Sequence, residues 1–328
     1  RAVTLQDGRT LPYDRLLVAS GATPTLQRMP GMDLPGVHTC WTLKDVRTFQ
    51  AIAKPGTRIV QMGAGFVGCI IMKGLVHMGV DLTVLVRSGR MVSRMMNPPA
   101  SALMRRWCLS KGVNVRVNTL PKELRQVGGE LRVVLEDEEL PADIYLCVVG
   151  VKPNTRFLEG TGVVVNEGIV VDGAMQTNVA GIYAAGDVAE SADCVTGERT
   201  VNAIQPNAVD QARIAALNMA GRTALSRGTF AFNVLDTLGL LSYSFGAWQG
   251  LPGGDYAELV NEEAFRYLRL EFLDDRLVGA NAIGFVEHSG ALRGLIEGRV
   301  RLGHWKGRLL EDPTQLLRAY LACAQKMV

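Results

Sequence analysis

Apolar and polar positions fall into blocks along this chain, and the clearest block lies just before residue 90. Ile59-Val60-Gln61-Met62 is a largely apolar run ending at Gly63-Ala64-Gly65-Phe66-Val67-Gly68, and an amphipathic stretch follows to Met78. A second apolar run, Leu82-Thr83-Val84-Leu85-Val86, comes next. Short apolar runs predict buried strands and amphipathic spacing predicts a helix. The order is strand, tight turn, helix, strand, with strands at 58–62 and 82–86.

Upstream, Asp7-Gly8 marks a hairpin, and Leu16-Leu17-Val18-Ala19 reads as a short buried strand ending in Ser20-Gly21-Ala22-Thr23-Pro24. Residues 25–57, punctuated by Pro30, Pro35 and Pro55, read as irregular. Downstream, Asn97-Pro98-Pro99 predicts an N-cap with proline in the first turn, opening a helix to about Lys111. Strands are expected near 113–118 and 131–135, then at 144–149, ending at Gly150. A later apolar run closes in Gly181-Ile182-Tyr183-Ala184-Ala185-Gly186-Asp187, and a helix is expected from Pro206 to about Met219. From Phe230 the pattern changes. Residues 267–272 and 277–283 flank Asp274-Asp275 like an antiparallel hairpin, and two helices follow, the last with Asp312 as N-cap and Pro313 at its first position. Alternating strands and helices argue for an α/β fold with parallel sheets and an antiparallel excursion.

The glycine turn is the first candidate site. Gly63 permits the turn, Gly65 lets the backbone approach a ligand, and Gly68 lets helix and strand pack closely. The helix N-terminus offers free N–H groups and a partial positive charge, which suits a pyrophosphate. A G-x-G-x-x-G alone is weak evidence. Here the flanking strands meet the structural condition for a dinucleotide fingerprint.

Composition narrows the classes. The 328 residues suggest two or three domains, and 48% hydrophobic with 20% charged content describes an ordinary globular protein. A formal net charge of +3 gives no argument for nucleic acid or an anionic membrane surface. No run of 18 apolar residues predicts a membrane span. The chain opens at Arg1 with no charged-then-apolar leader and reads as a fragment. Cys40, Cys69, Cys108, Cys147, Cys194 and Cys323 are scattered, with no C-x-x-C, and read as free thiols of a cytoplasmic protein. The four histidines, His38, His77, His288 and His304, are equally dispersed, so no zinc or iron–sulfur spacing exists and no metal site is expected.

Four segments stand in order: Leu17 to Pro24, the glycine fingerprint, Val148-Val149-Gly150-Val151-Lys152-Pro153-Asn154, and Thr177 to Asp187. Together they resemble the pyridine nucleotide–disulfide oxidoreductase superfamily of FAD- and NAD(P)-binding proteins, over nearly the whole chain. The resemblance implies two dinucleotide-binding, Rossmann-like domains, the first incomplete, plus a C-terminal mixed α/β domain. Residues 1–52 and 152–225 would form the FAD half, 53–151 an inserted NAD(P) domain, and 228–328 an interface domain. Ala184-Ala185-Gly186-Asp187 resembles the second FAD motif, in which the carboxylate at a strand end accepts a ribityl hydroxyl and the Val188 N–H meets a phosphate. The helix at Pro206 resembles the flavin-facing helix, its N-terminus favouring negative charge on the reduced ring, with Asn202, Ala203, Gln205 and Asn207 along that edge. Ser20, Gly21, Ala22, Thr23, Pro24, Val149 and Gly150 match the remaining cofactor-contacting segments. The family's first FAD fingerprint belongs ahead of the segment that opens this chain, so the FAD half is expected to be incomplete. Any redox cysteine pair would lie in that same region, and Cys40 reads as packing.

Departures from the family pattern bear on chemistry. NAD-specific sites place an acidic residue at the end of the second strand, but Val86-Arg87-Ser88 stands there, with Arg90 and Arg94 nearby. Guanidinium binds phosphate bidentately, so Arg87 and Arg94 suit a 2′-phosphate; a solvated basic turn accepting either nucleotide is the other reading. Ile70 replaces a glutamate common near the flavin–nicotinamide junction. Phe66 matches an aromatic that gates the flavin face, or simply packs helix on sheet.

The stretch from Asp275 to Ile296 resembles the last domain of rubredoxin reductases and of nitrite reductase FAD modules. Leu302-Gly303-His304-Trp305-Lys306 resembles, more faintly, flavin subunits of anaerobic aldehyde or 2-oxoacid oxidoreductases. The resemblance implies hydride exchange between NAD(P)H and FAD and electron transfer with an iron–sulfur or rubredoxin-type partner, in a multi-subunit or oligomeric setting. Trp248, Trp305, Arg299 and Arg301 are candidate anchors for that partner. The flavin carries the redox chemistry, so no acid–base catalytic residue is expected. A thiol-dependent disulfide reductase and a structural subunit that has lost FAD are the rival readings.

Overall fold

The computed structural model describes residues 1–285 and 287–324. By contacts the chain divides into two compact units, one formed by 1–23 and 152–231, the other by 24–151 and 232–328.

The larger unit is built on a five-stranded parallel sheet. Its strands lie in the order Val37–His38, Ile144–Cys147, Arg58–Met62, Asp81–Val86, Asn114–Val117. Helix α1 (Leu43–Ile52) precedes the first long strand, in a region where the sequence pattern predicts only irregular chain. A capping box starts it: Thr42 Oγ1 accepts the Asp45 N–H at 3.2 Å, and Asp45 accepts the Thr42 N–H at 2.8 Å. Its Phe49 packs in one core with Ile59, Leu82 and Val84, so residues 24–52 belong by packing to this unit. Helix α2 (Phe66–His77) links the strands Arg58–Met62 and Asp81–Val86, as the pattern predicts. Helix α3 (Pro98–Ser110) follows, and Asn97 caps it by accepting the Ala100 N–H. The antiparallel excursion is a three-stranded sheet of Glu123–Val127, Glu130–Val134 and Glu139–Ala142. It buries Leu124, Leu131 and Val133 with Tyr145 and Cys147 on the opposite face of the parallel sheet.

In the smaller unit, Ile182–Ala184 pairs parallel with Leu16–Val18, and Ile169–Val170 with Ala189–Ala192. Helix α4 (Gln205–Met219) packs beside them, with Ala215 in the core alongside Ile182 and Val188.

Residues 232–328 of the larger unit contribute a five-stranded antiparallel sheet ordered Phe232–Thr237, Leu240–Gly246, Arg276–Ile283, Arg266–Leu273, Asp255–Asn261. The hairpin at Asp274-Asp275 is present, with Asp274 in the left-handed region at φ 51°. Leu235, Leu240, Tyr267 and Ile283 join the nucleotide-domain core, where this sheet packs against helices α2 and α3. Helices α5 (Ser289–Glu297), α6 (Trp305–Glu311) and α7 (Leu316–Ala324) close the chain. The pattern predicts two helices here. Asp312 does act as an N-cap, but of a 3-10 turn, Pro313–Gln315, that leads into α7.

Candidate functional site

The glycine turn is constrained by backbone approach rather than by side chains. Gly63 has φ 109°, and a Cβ there would lie 2.4 Å from the Val148 carbonyl oxygen. A Cβ on Gly68 would lie 2.4 Å from the Gly63 carbonyl oxygen. The buried Gln61 amide braces the loop, donating to the carbonyls of Gly63 at 2.8 Å and Gly68 at 3.2 Å. Gly65 differs. It is exposed, and nothing within 4 Å would meet a Cβ there. No side chain caps α2. The turn therefore presents open space in front of uncapped N–H groups, which is the cradle that a pyrophosphate fits. Phe66 packs against the core, and Ile70 is exposed on the same helix. Val67 lines a small apolar hollow with Pro24, Cys40, Trp41, Val148 and Gly150. The Gly150 carbonyl accepts the Thr25 N–H at 2.8 Å, and Val149 is partly exposed beside it.

At the end of the strand Asp81–Val86, Arg87 and Arg94 are exposed and form no ion pair among the described residues. Neither lines the nearby hollow of about 410 Å³; Ser88, Arg90, Ser93, Ser101 and Arg105 do. Ser101 and Arg105 stand one turn apart on α3, so the helix face brings in a cation that the strand-end reading passes over. Arg105 donates to the Val115 carbonyl at 3.3 Å, and Arg90 to the Ser93 carbonyl at 3.4 Å.

In the smaller unit, Asn154 gathers the Ser20–Thr23 segment. It accepts from Ser20 Oγ at 2.8 Å on its carbonyl and from Thr23 Oγ1 at 2.7 Å on its side chain, and it donates to the Ser20 carbonyl at 2.8 Å. Its N–H meets the Gly21 carbonyl at 2.9 Å. The Gly186 N–H donates to Gln211 Oε1 at 2.8 Å, tying the strand-end turn to α4. Asp187 follows, half-buried, with no hydrogen-bond or ion-pair partner among the described residues. Burial holds its carboxyl above the usual carboxylate range. A desolvated carboxylate with no protein partner fits a ligand hydroxyl. The adjacent Val188 N–H also meets no acceptor among the described residues. Helix α4 starts at Gln205, one residue before the expected Pro206, and no side chain caps it. Asn207 is engaged inward, donating to the Asn202 and Phe230 carbonyls at 3.2 and 3.1 Å and accepting the Phe230 N–H at 3.3 Å. Asn202 in turn holds Thr229 Oγ1 at 2.9 Å.

The order of these turns matches a known family. Residues 1–213 fit the family described as pyridine nucleotide-disulphide oxidoreductase. The chain belongs to that family. The epsilon subunit of the NADH-dependent phenylglyoxylate dehydrogenase of Aromatoleum evansii is 29% identical over 322 residues, covering 97% of this chain and 76% of that protein. The rubredoxin-NAD(+) reductase of Pseudomonas putida is 27% identical over 302 residues, covering 90% of this chain and 77% of that protein. The putidaredoxin reductase–putidaredoxin complex shares the fold, with a TM-score of 0.88 at 23% identity over 98% of this chain and 77% of that chain.

Within this family the protein is an FAD-dependent NAD(P)H oxidoreductase, and its cofactors are FAD and NAD(P). The open turn at Gly65 and the unpartnered Asp187 fit those groups. Among the described residues no cluster of His, Cys, Asp or Glu is placed to hold a metal, and no helix is long and apolar enough to cross a membrane. Cys40, Cys69, Cys108 and Cys147 are free thiols, and burial pushes the Cys108 thiol up to about 12.

Proposed function

We propose that this chain exchanges a hydride between NAD(P)H and FAD and passes electrons to or from an iron–sulfur or rubredoxin-type protein. Residues 1–23 and 152–231 serve FAD, residues 24–151 serve the nucleotide, and residues 232–328 serve the protein partner. The carrying observation is the unpartnered, desolvated Asp187 at its strand end, in a chain that also holds an open, uncapped glycine turn. Bound FAD supplies the two-electron-to-one-electron chemistry. The chain supplies alignment.

Gly63, Gly65, Phe66, Val67 and Gly68 receive the nucleotide pyrophosphate, with Val149 and Gly150 at the neighbouring strand end. Ser20, Gly21, Ala22, Thr23, Gly186, Asp187 and Val188 hold FAD, and the start of α4 at Gln205 and Pro206, braced from within by Asn207, faces the flavin. Arg87 and Arg94 favour NADPH, supported by their exposure and by the absence of an acidic residue at that strand end. The relatives named for rubredoxin and ferredoxin reduction support the partner class. Exposed Arg299 and Arg301, with Trp248 and Trp305, belong to the docking face. A cytoplasmic location suits free thiols.

Stopped-flow reduction of the flavin by NADPH and NADH tests the reading. Arg87→Glu is expected to cost about 2 kcal/mol on NADPH, because a charge-assisted contact becomes a repulsion. Turnover is expected only when a one-electron protein acceptor or dye is added. Efficient NAD(P)H-dependent reduction of a small disulfide by the protein alone overturns the partner assignment.

A further inference from the structure

The segment 88–97 carries Arg90 and Arg94 and forms one wall of the arginine-lined hollow. Its backbone is tied to three other parts of the larger unit. The Val92 N–H donates at 2.8 Å to the carbonyl of Ala64, which lies inside the glycine fingerprint. Ser101 Oγ on α3 donates to the Met91 carbonyl at 2.6 Å. The third tie comes from the C-terminal sheet. Asn281 Nδ2 donates to the Met95 carbonyl at 2.8 Å, and Asn281 Oδ1 accepts the Asn97 N–H at 3.2 Å. On the neighbouring strand, the Tyr267 hydroxyl accepts from Asn97 Nδ2 and donates to Glu258 Oε1 at 2.5 Å. Asn281 and Tyr267 are both fully buried.

The segment needs this clamp. Val92 sits in the left-handed region at φ 41°, where a β-branched side chain is strained. Such a conformation persists only where the surroundings over-determine it. Without Asn281, the buried Met95 carbonyl and the Asn97 N–H lose their partners, and the strain at Val92 has a route to relax.

We propose that Asn281, seconded by Tyr267, is a positioning residue: the C-terminal sheet holds the arginine-bearing segment in place for the 2′-phosphate and so sets the nucleotide preference. The proposal rests on the NADPH reading above. It separates two parts of one ligand. Loss of the clamp shifts the segment 88–97 and its cations, while the Gly63–Gly68 turn keeps its own brace from Gln61. The 2′-phosphate contribution then falls and the pyrophosphate contribution stays.

The test is isothermal titration of the flavin-loaded protein with NADP⁺ and with NAD⁺, which reads binding and not turnover. Asn281→Ala removes both of its hydrogen bonds to the segment and is expected to raise the Kd for NADP⁺ about tenfold and the Kd for NAD⁺ less than about twofold. Tyr267→Phe removes one hydroxyl without a cavity, is expected to stay folded, and is expected to shift the NADP⁺/NAD⁺ ratio about threefold in the same direction. Equal changes in both constants, or none, in the folded variants overturn this inference alone. A native protein that binds NADP⁺ no more tightly than NAD⁺ overturns the nucleotide reading and this inference with it.

Discussion

The Gly186 N–H donates to Gln211 Oε1 at 2.8 Å, so the turn that presents Asp187 is fixed by a side chain from the second turn of α4. Gln211 is buried, and its Nε2 donates to Ser191 Oγ at 3.2 Å, so both ends of the amide are used. Helix and turn are thereby locked together inside the smaller unit. Two segments proposed for one cofactor share a polar link.

Gln211→Leu keeps the volume and removes both hydrogen bonds. The Gly186 N–H is left without its partner, at an expected cost of about 1–3 kcal/mol. Thermal unfolding of the apoprotein reads the stability, and flavin content after gel filtration reads the site. Both are expected to fall together. A variant with native stability and full flavin would show that Gln211 does not organise the turn.

Gly65 and Gly68 are expected to separate ligand space from packing space. A Cβ on Gly68 runs into the Gly63 carbonyl at 2.4 Å, so Gly68→Ala strains the turn and is expected to destabilise the fold by about 1–3 kcal/mol. A Cβ on Gly65 meets nothing within 4 Å. Gly65→Ala is therefore expected to cost only about 0.5–1 kcal/mol as a poorer N-cap. It is expected to weaken nucleotide binding about tenfold, because the methyl group fills the space where a pyrophosphate approaches. Calorimetry and nucleotide titration on both variants check this. Native affinity in G65A would place the ligand elsewhere.

What was legible in the sequence was local. The turn at Gly63, the N-cap at Asn97 and the strand Ile182–Ala184 that leads into the Asp187 turn each depend on residues within a few positions of one another, and the pattern predicts all three. Helix α1 was also encoded locally, in Thr42-x-x-Asp45, but the box uses Asp where Glu is usual and lies among prolines. The residues that hold the site in shape were not legible. Asn154 reaches Ser20 across 134 positions, and Asn281 reaches Met95 across 186. Nothing in an isolated Asn signals such a partner. Arg105 likewise reads as a solvated helix residue until α3 is laid beside the loop 88–93.

Arg58 holds two carboxylates of the larger unit, meeting Asp143 and Glu130 at 2.6 Å each. Its backbone N–H also donates to Asp143 at 2.8 Å. The side-chain hydrogen bond from Arg58 holds the Asp143 carboxyl below its ordinary 3.8. A depressed folded-state value stabilises the protein above the ordinary value, and that stabilisation is lost as pH falls through the folded one. The groups are partly exposed, so the contribution is roughly 0.5–1 kcal/mol. Asp143→Asn is expected to flatten the acid limb of the stability curve below about pH 4. Denaturant unfolding at pH 7 and pH 3.5 checks it. A variant and native protein differing equally at both pH values would remove the pair from the acid response.

Asp187 is expected to behave in the opposite sense. Burial raises its carboxyl above the ordinary 3.8, with no donor among the described residues to compensate. A raised folded-state value means the folded apoprotein holds the proton more tightly than the unfolded chain does. Stability is then present below the ordinary value and is lost as pH rises through the raised one. The ionised group is therefore a burden on the apoprotein at neutral pH, relieved when a ligand hydroxyl donates to it. Asp187→Asn is expected to raise the melting temperature of the apoprotein at pH 7 while lowering flavin affinity. At pH 3.5, where the native carboxyl is protonated, the stability difference is expected to shrink toward zero. Fluorescence titration with FAD and thermal melts at the two pH values read both effects. An apoprotein that loses stability on substitution, or a variant that retains full flavin affinity, would show that Asp187 serves the fold and not the cofactor.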